Sequence, residues 1–128
     1  MGHLSNPEPK RTIVRDVETA RRVKAEEIAA ARWKKETGGI VVQGVGIDTS
    51  RESQGLISGA ALQAVVDPKY VCRWKTSVGF IELDATMIMA IGTAVRQHVQ
   101  SCFDREAELL ERVNDPKATL EEVLAVRW

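Results

Sequence analysis

The sequence has few aromatic side chains, only two cysteines and no excess of charge of either sign. Its 128 residues include 3 Trp, 1 Tyr and 2 Phe. A core must therefore be built mainly from Ala, Val, Ile and Leu, which suits helices packed on a small sheet. The cysteines, Cys72 and Cys102, do not make a disulfide framework, so a reduced, cytosolic location is the expectation.

The charge balance and the hydropathy argue against two further classes of protein. Eighteen basic and eighteen acidic residues cancel. A dedicated nucleic-acid binder is therefore disfavoured, because such proteins take their affinity from neutralised phosphates. No apolar run approaches the roughly 20 residues that span a bilayer, and the polar amino terminus lacks the pattern of a secretory signal.

The length of the chain fits one compact domain. Residues 1–11 begin with the polar, proline-containing string MGHLSNPEPK and are predicted to form a flexible tail. Residues 12–128 are predicted to form a single α+β domain.

The spacing of apolar residues predicts three main helices and a short last one. The predicted spans are 12–36, 49–66, 85–113 and a short helix after residue 119. Thr49 with Glu52 and Thr119 with Glu122 have the spacing of capping boxes, in which each side chain bonds an otherwise free backbone N–H. The longest helix, opened by Asp84 or Thr86, would extend ~42 Å at 1.5 Å per residue. Its distal end is expected to pack on the first helix or on another subunit.

Two β-hairpins are predicted between these helices. The first covers residues 40–48 with a two-residue turn at Gln43-Gly44, and the second covers residues 70–84 around Ser77-Val78-Gly79. Each hairpin is followed by a helix, so the plan is a long helix, two hairpin–helix units and a short helix. The simplest packing puts both hairpins in one small antiparallel sheet with the helices on one face.

The glycine-bearing segment TGGIVVQGVGIDTSRES, residues 37–53, raises the question of a phosphate site. A P-loop needs Gly-Lys-Ser/Thr at the helix start, but the segment has no lysine. A dinucleotide fingerprint needs a third glycine three residues after the second, and counting from Gly44 and Gly46 that position is Thr49. The segment is therefore predicted to be a turn leading into a capped helix.

Three ionisable residues form the best candidates for catalysis. Glu82 and Asp84 point the same way at the end of a predicted strand, and His98 is the one histidine inside the fold. Together they could perform acid–base chemistry if one concave pocket joined them. The favoured interpretation is that one carboxylate caps a helix and the other is solvated. His98 and Cys102 alone do not fill a metal site, so no catalytic residue, metal or cofactor is expected.

Large exposed side chains would be the means of contact with a partner. Trp74 and Phe80 on the second hairpin, and Trp33 on the first helix, are the candidate contact residues. Trp33 could instead stack nucleic-acid bases, although the basic residues of the first helix are interleaved with acidic ones. Core or rim packing is the ordinary alternative for each tryptophan.

Three strings resemble, in order and spacing, an uncharacterised domain family of tailed bacteriophages and prophages. They are GGIVVQGVGIDTSRES (38–53), WKTSVGFIELDATMI (74–88) and AVRQHVQSCFDREAELLE (94–111). Members of that family often occur with, or at the carboxyl end of, tail-fibre and tail-assembly proteins. The resemblance covers most of the chain, from about Arg22 to Leu110, and supplies no catalytic residues.

The resemblance implies a non-enzymatic protein associated with the phage tail, either a structural component or an assembly factor acting by protein–protein contact. Its partners would be tail or tail-fibre proteins, in the cytoplasm of the bacterial host or in the virion. A homodimer through residues 85–113 is a separate hypothesis, based on the length of the apolar stripe. Two alternatives stay open: a small enzyme using Glu82, Asp84 and His98, and a nucleic-acid adaptor using Trp33.

Overall fold

The computed structural model describes residues 16–128 and has the predicted α+β architecture. Its elements are α1 Val17–Glu36, β1 Ile40–Val42, β2 Val45–Ile47, α2 Arg51–Val66, β3 Val71–Thr76, β4 Gly79–Asp84, α3 Ala85–Val113 and α4 Leu120–Ala125. The tail predicted for residues 1–11 and the first residues of the predicted helix 12–36 lie outside the described part. Between residues 16 and 128, no helix is both long and apolar enough to cross a membrane.

The hairpins do not share a sheet, so the prediction of a single antiparallel sheet is wrong. Within residues 16–128, β1 pairs only with β2, and β3 pairs only with β4, giving two separate two-stranded sheets. Each hairpin is positioned by a different neighbour. The first is tied to the carboxyl end of α1, whereas the second leads directly into the amino terminus of α3. An open cleft of about 650 Å³ separates them.

Helix ends are fixed by short polar side chains, mostly where the sequence predicts them. The Asp84 carboxylate accepts a hydrogen bond from the backbone N–H of Met87 and caps α3. Thr119 and Glu122 form the predicted capping box of α4. Asp16 caps α1 through the N–H of Thr19. A cap of this kind contributes about 1 kcal/mol to helix stability.

α3 is the central element and carries two apolar cores. Its first half, with Ile88, Ile91 and Val95, packs on α2 and on the inner faces of both hairpins. Its second half, with Leu109 and Val113, packs on α1 and α4. The distal end of α3 therefore meets the first helix, as predicted. Between the two cores, His98 and Glu106 of α3 hydrogen-bond to groups of α1 instead.

Candidate functional site

The glycine-bearing segment is a tight hairpin, as the sequence predicts. Ile40 pairs with Ile47 and Val42 with Val45, which leaves Gln43 and Gly44 as a two-residue turn. Both have positive φ, 50° and 81°, the geometry of a type I′ turn. Glycine suits the second position because other residues are strained there.

Four backbone N–H groups of this segment, those of Gly38, Gly39, Ser50 and Ser53, are bonded within the chain. The N–H of Gly39 donates to the hydroxyl of Thr49 at 2.9 Å, and that of Gly38 donates to the Lys35 carbonyl. At the start of α2, the N–H groups of Ser50 and Ser53 donate to the side chains of Asp48 and Ser50. In a phosphate loop such groups would point at the ligand. Here the Gly39–Thr49 bond ties the two ends of the hairpin together. The bonds of Ser50 and Ser53 form the start of α2.

The predicted capping box of Thr49 with Glu52 is wrong, because Ser50 is the residue that caps α2. The Thr49 side chain is fully buried and turned the other way. Its hydroxyl donates to the Glu36 carbonyl at 2.6 Å and accepts from Gly39 N–H. Thr49 therefore joins the end of α1 to the first hairpin. Its hydroxyl makes these two bonds instead of capping α2.

Glu36, the last residue of α1, places a carboxylate with no solvent exposure at the centre of the molecule. One oxygen accepts hydrogen bonds from Arg32 Nη1 at 2.7 Å and Arg51 Nη2 at 3.0 Å. The other accepts from Arg51 Nε and from Gln54 Nε2 at 2.9 Å. Arg51 thus binds the carboxylate through two donors, which is the strong geometry for this pair. The three donors of Arg51 and Gln54 link α1 to the first turn of α2.

The cluster extends to α3 through Arg32. Its Nε donates to the Glu106 carboxylate at 3.2 Å, so one guanidinium bridges acids on α1 and α3. The Arg32 guanidinium also lies 4.7 Å from the centre of the Phe103 ring, and Arg51 lies 5.1 Å from that of Trp33. Both distances fit cation–π attraction. We call Arg32, Glu36, Arg51, Gln54 and Glu106 the central polar cluster.

Burial and hydrogen bonding act in opposite directions on Glu36. Burial raises the pKa of the carboxyl, but the hydrogen bonds from Arg51, Gln54 and Arg32 outweigh it and lower the pKa to about 2. For Arg32, burial lowers the pKa, and the bonds to Glu36 and Glu106 raise it above its ordinary value. A carboxylate with so low a pKa has little tendency to take up a proton at neutral pH, so Glu36 is a poor general base there.

Stability is expected to fall in acid as Glu36 takes up a proton. The folded pKa of about 2 lies below the ordinary value of 4.5. The stabilising contribution is therefore fully present above pH 4.5 and is lost as the pH falls towards 2. The pKa difference gives an upper limit of about 3 kcal/mol, reduced by solvent screening at the half-exposed Arg51. Denaturant unfolding from pH 7 to pH 3 measures it, and Glu36→Gln should show a shallower dependence. Equal slopes for the two proteins would contradict the assignment.

His98 and Cys102 do not form a reactive pair. The Nε2–H of His98 donates to the backbone carbonyls of Lys35 at 2.9 Å and Glu36 at 3.2 Å. The imidazole thus bonds carbonyls that the end of α1 leaves without helical partners. Burial raises the pKa of the Cys102 thiol, and the charge of Glu36 raises it further. The thiol is protonated at neutral pH, which disfavours nucleophilic chemistry.

The three candidate catalytic residues do not come together. Asp84 caps α3, and Glu82 lies on the outward face of β4 opposite Arg73. His98 is fourteen residues further along α3 than Asp84, a separation of ~21 Å at 1.5 Å per residue. Among residues 16–128, no group of three or more metal-ligating side chains is assembled. The pocket required by the enzyme hypothesis is not formed by these three residues.

The three candidate contact residues lie in three different environments. Trp33 is half exposed and stacks against the Arg51 guanidinium. Trp74 faces inward, pairs with Ile81 across the hairpin and packs against the first core. Phe80 is on the opposite face and 69% exposed. Trp74 and Phe80 therefore do not form one continuous rim, although Trp74 also borders the cleft between the hairpins.

Sequence reasoning does not single out the central polar cluster. Arg32 and Glu36 are four residues apart on a charged helix and have the appearance of a surface pair. Glu106 gives the one usable signal, because it interrupts the apolar stripe of α3 at a position that faces α1. Its partner Arg32 could not be identified from spacing, since the contact joins residues 74 positions apart.

Comparison with known proteins gives one result. No curated protein and no solved structure matches this chain. A family profile matches residues 19–127, which is most of the chain and nearly all of the described part. The chain belongs to the family described as Domain of unknown function (DUF4376).

Proposed function

We propose that this chain is a non-enzymatic protein of the phage or prophage tail, a structural component or an assembly factor that acts by protein–protein contact. The tail context is taken from the resemblance of the three strings given above. The mode of action is supported by the chemistry of the fold. In residues 16–128 every buried side-chain nitrogen or oxygen has a hydrogen-bond partner, so the central polar cluster stabilises the fold.

The observation that carries the proposal is the outward face of the second hairpin. Alternation along β3 and β4 turns Cys72, Trp74, Ile81 and Leu83 towards the core. The opposite face carries Val71, Arg73, Lys75, Phe80 and Glu82, which we call the outer hairpin surface. Phe80 is exposed there, and Val78 at the turn is 91% exposed. An exposed aromatic ring beside charged residues is typical of a contact that contributes strongly to binding.

The backbone of this hairpin offers a second element of recognition. Among the described residues, β3 has β4 as its only strand partner. The other edge of β3 therefore presents N–H and C=O groups that an extended segment of another protein could pair with. Lys75, Thr76 and Ser77 also border the cleft between the hairpins. The proposed partner would pair with this edge and place an apolar side chain against Phe80.

Affinity purification tests this proposal. The tagged full chain is expressed together with the tail genes of the phage or prophage that encodes it. A tail or tail-fibre protein should copurify with the wild type. Phe80→Ser should reduce its recovery at least about ten-fold, as expected for a central contact residue.

The matched control is Leu56→Ser, which removes another exposed apolar side chain, on α2 and outside the outer hairpin surface. This control should bind like the wild type. Two results would contradict the proposal. One is a stable complex that contains no tail protein. The other is equal loss of binding in both variants, which would place the contact elsewhere.

A further inference from the structure

α2 exposes an apolar face that no residue between 16 and 128 covers. Residues 53–66 include no charged residue, although more than a quarter of the whole chain is charged. Leu62 is 67% exposed and Val66 is 71% exposed. Beside them, a groove of about 590 Å³ runs between α2 and α3 and is lined by Leu62, Val65 and Met89. The groove is mostly apolar, although Arg96 and Gln100 of α3 also line it. An exposed apolar surface of this kind marks an interaction site.

Two glycines on the same face are not explained by packing within the described part of the chain. Gly55 and Gly59 are interior to α2, where glycine destabilises a helix relative to alanine. Neither has positive φ, and a Cβ built on either would meet nothing within 4 Å. Gly92 on α3 differs, because its Cβ would come within 2.9 Å of the Ala61 Cβ. The chain's own packing thus requires Gly92 to be small but does not require this of Gly55 or Gly59.

We infer that the α2 face binds α2 of a second copy of this chain, with the two helices antiparallel. Positions 55, 59, 62 and 66 fall on one side of the helix. A two-fold axis between residues 60 and 61 would pair Gly59 with Leu62, and Gly55 with Val66, of the second copy. The larger side chains at one end of each helix then fill the hollows at the glycines of the other.

The charge pattern favours a second copy over an unlike partner. A two-fold interface places the same patch on both sides, so a charge near the axis would face its like. The uncharged run 53–66 avoids that repulsion along nearly the whole of α2. A charged partner would find no complementary group along the same run.

The area available predicts a reversible dimer. α2 has 16 residues, and with the groove to α3 it offers a footprint of ~24 by ~20 Å per copy. The total of ~1,000 Å² is at the lower limit for a specific interface. The surface differs from the dimer predicted through residues 85–113. The apolar stripe of α3, whose length suggested a dimer through residues 85–113, packs on α1 and α2 of the same chain. The length of the stripe therefore does not support a dimer through α3.

Sedimentation velocity on the full chain, from about 1 to about 500 µM, tests the inference. The wild type should shift from 14.2 kDa to twice that mass as the concentration rises. Leu62→Glu and Gly59→Lys should each weaken association at least about ten-fold. An equimolar mixture of the two variants should associate again, because the antiparallel pairing puts the new lysine beside the new glutamate. Circular dichroism should show both variants folded, since both positions are exposed.

Three results would overturn the inference. The wild type could sediment at 14.2 kDa over the whole range. Leu62→Glu could dimerise as the wild type does, which would place the interface elsewhere. The mixture could fail to associate while each variant is monomeric, which would reject the antiparallel pairing. The inference does not depend on the tail-contact proposal, because Phe80→Ser leaves α2 unchanged.

Discussion

Replacing Glu36 by alanine is expected to lower the free energy of unfolding by about 3 to 5 kcal/mol. The substitution removes a fully buried carboxylate that accepts hydrogen bonds from Arg32, Arg51 and Gln54. The partly buried Arg32 guanidinium would keep only Glu106 as a carboxylate partner. Two neighbouring positive charges would then repel each other beside a cavity. Equilibrium denaturation at pH 7 and low salt measures the change.

A matched control is available on the same helix. Glu26 forms an ion pair with Arg22, and both side chains are largely exposed. Exposed pairs of this kind contribute about 0.5 kcal/mol or less to the free energy of unfolding. Glu26→Ala should therefore be nearly as stable as the wild type. If Glu36→Ala lost no more stability than Glu26→Ala, the central polar cluster would not be holding the fold together.

Replacing Leu109 by alanine is expected to destabilise the protein by about 2 to 5 kcal/mol. Leu109 has no solvent exposure and lies in the second core with Ala20, Ile28 and Val123. The change removes apolar contacts and leaves a cavity between α1, α3 and α4. Thermal or denaturant unfolding measures the loss.

Leu56→Ala is the control for the Leu109 experiment, because Leu56 is 59% exposed on α2. That change should lower the free energy of unfolding by less than about 1 kcal/mol, because the Leu56 side chain buries little apolar area in the folded protein. A small effect at Leu109 would mean that the distal half of α3 does not pack on α1 and α4. The two-core description of the fold would then be wrong.

Local features of the fold follow from the sequence because they depend on neighbouring residues. The Gln43-Gly44 turn and the Thr119–Glu122 capping box are set by residues within a few positions of one another. The end of α2 at Val66, just before Asp67-Pro68, has the same local origin. The extent of α3 follows from its apolar period over many turns.

Features that depend on distant partners do not follow from the sequence. Thr49 and Glu52 have capping-box spacing, but the Thr49 hydroxyl bonds the Glu36 carbonyl and the Gly39 N–H instead. Ser50 therefore caps α2. Pairing of the two hairpins would need their edges to meet. Tertiary contacts place an open cleft there instead.

The central polar cluster gives a physical basis for action through surfaces. It joins the end of α1, the start of α2 and the middle of α3. The hairpin that follows α1 is fixed to the same point through Thr49, and His98 of α3 bonds the end of α1 there. A scaffold held at its centre presents its outer surfaces in a defined arrangement, which lowers the entropy lost on binding. On this account, the outer hairpin surface and the α2 face are two contact surfaces with different partners.

The most direct test of the proposed function is lysine crosslinking with mass spectrometry on the complex purified with the wild-type chain. Lys75 lies opposite Phe80 on the outer hairpin surface, and Lys69 lies just before β3. Lys34 and Lys35 at the end of α1, and Lys117 before α4, report on other faces. The account predicts that Lys75 and Lys69 crosslink to a tail or tail-fibre protein. Crosslinks to such a protein from Lys34, Lys35 or Lys117 alone, or a complex without any tail protein, would contradict it.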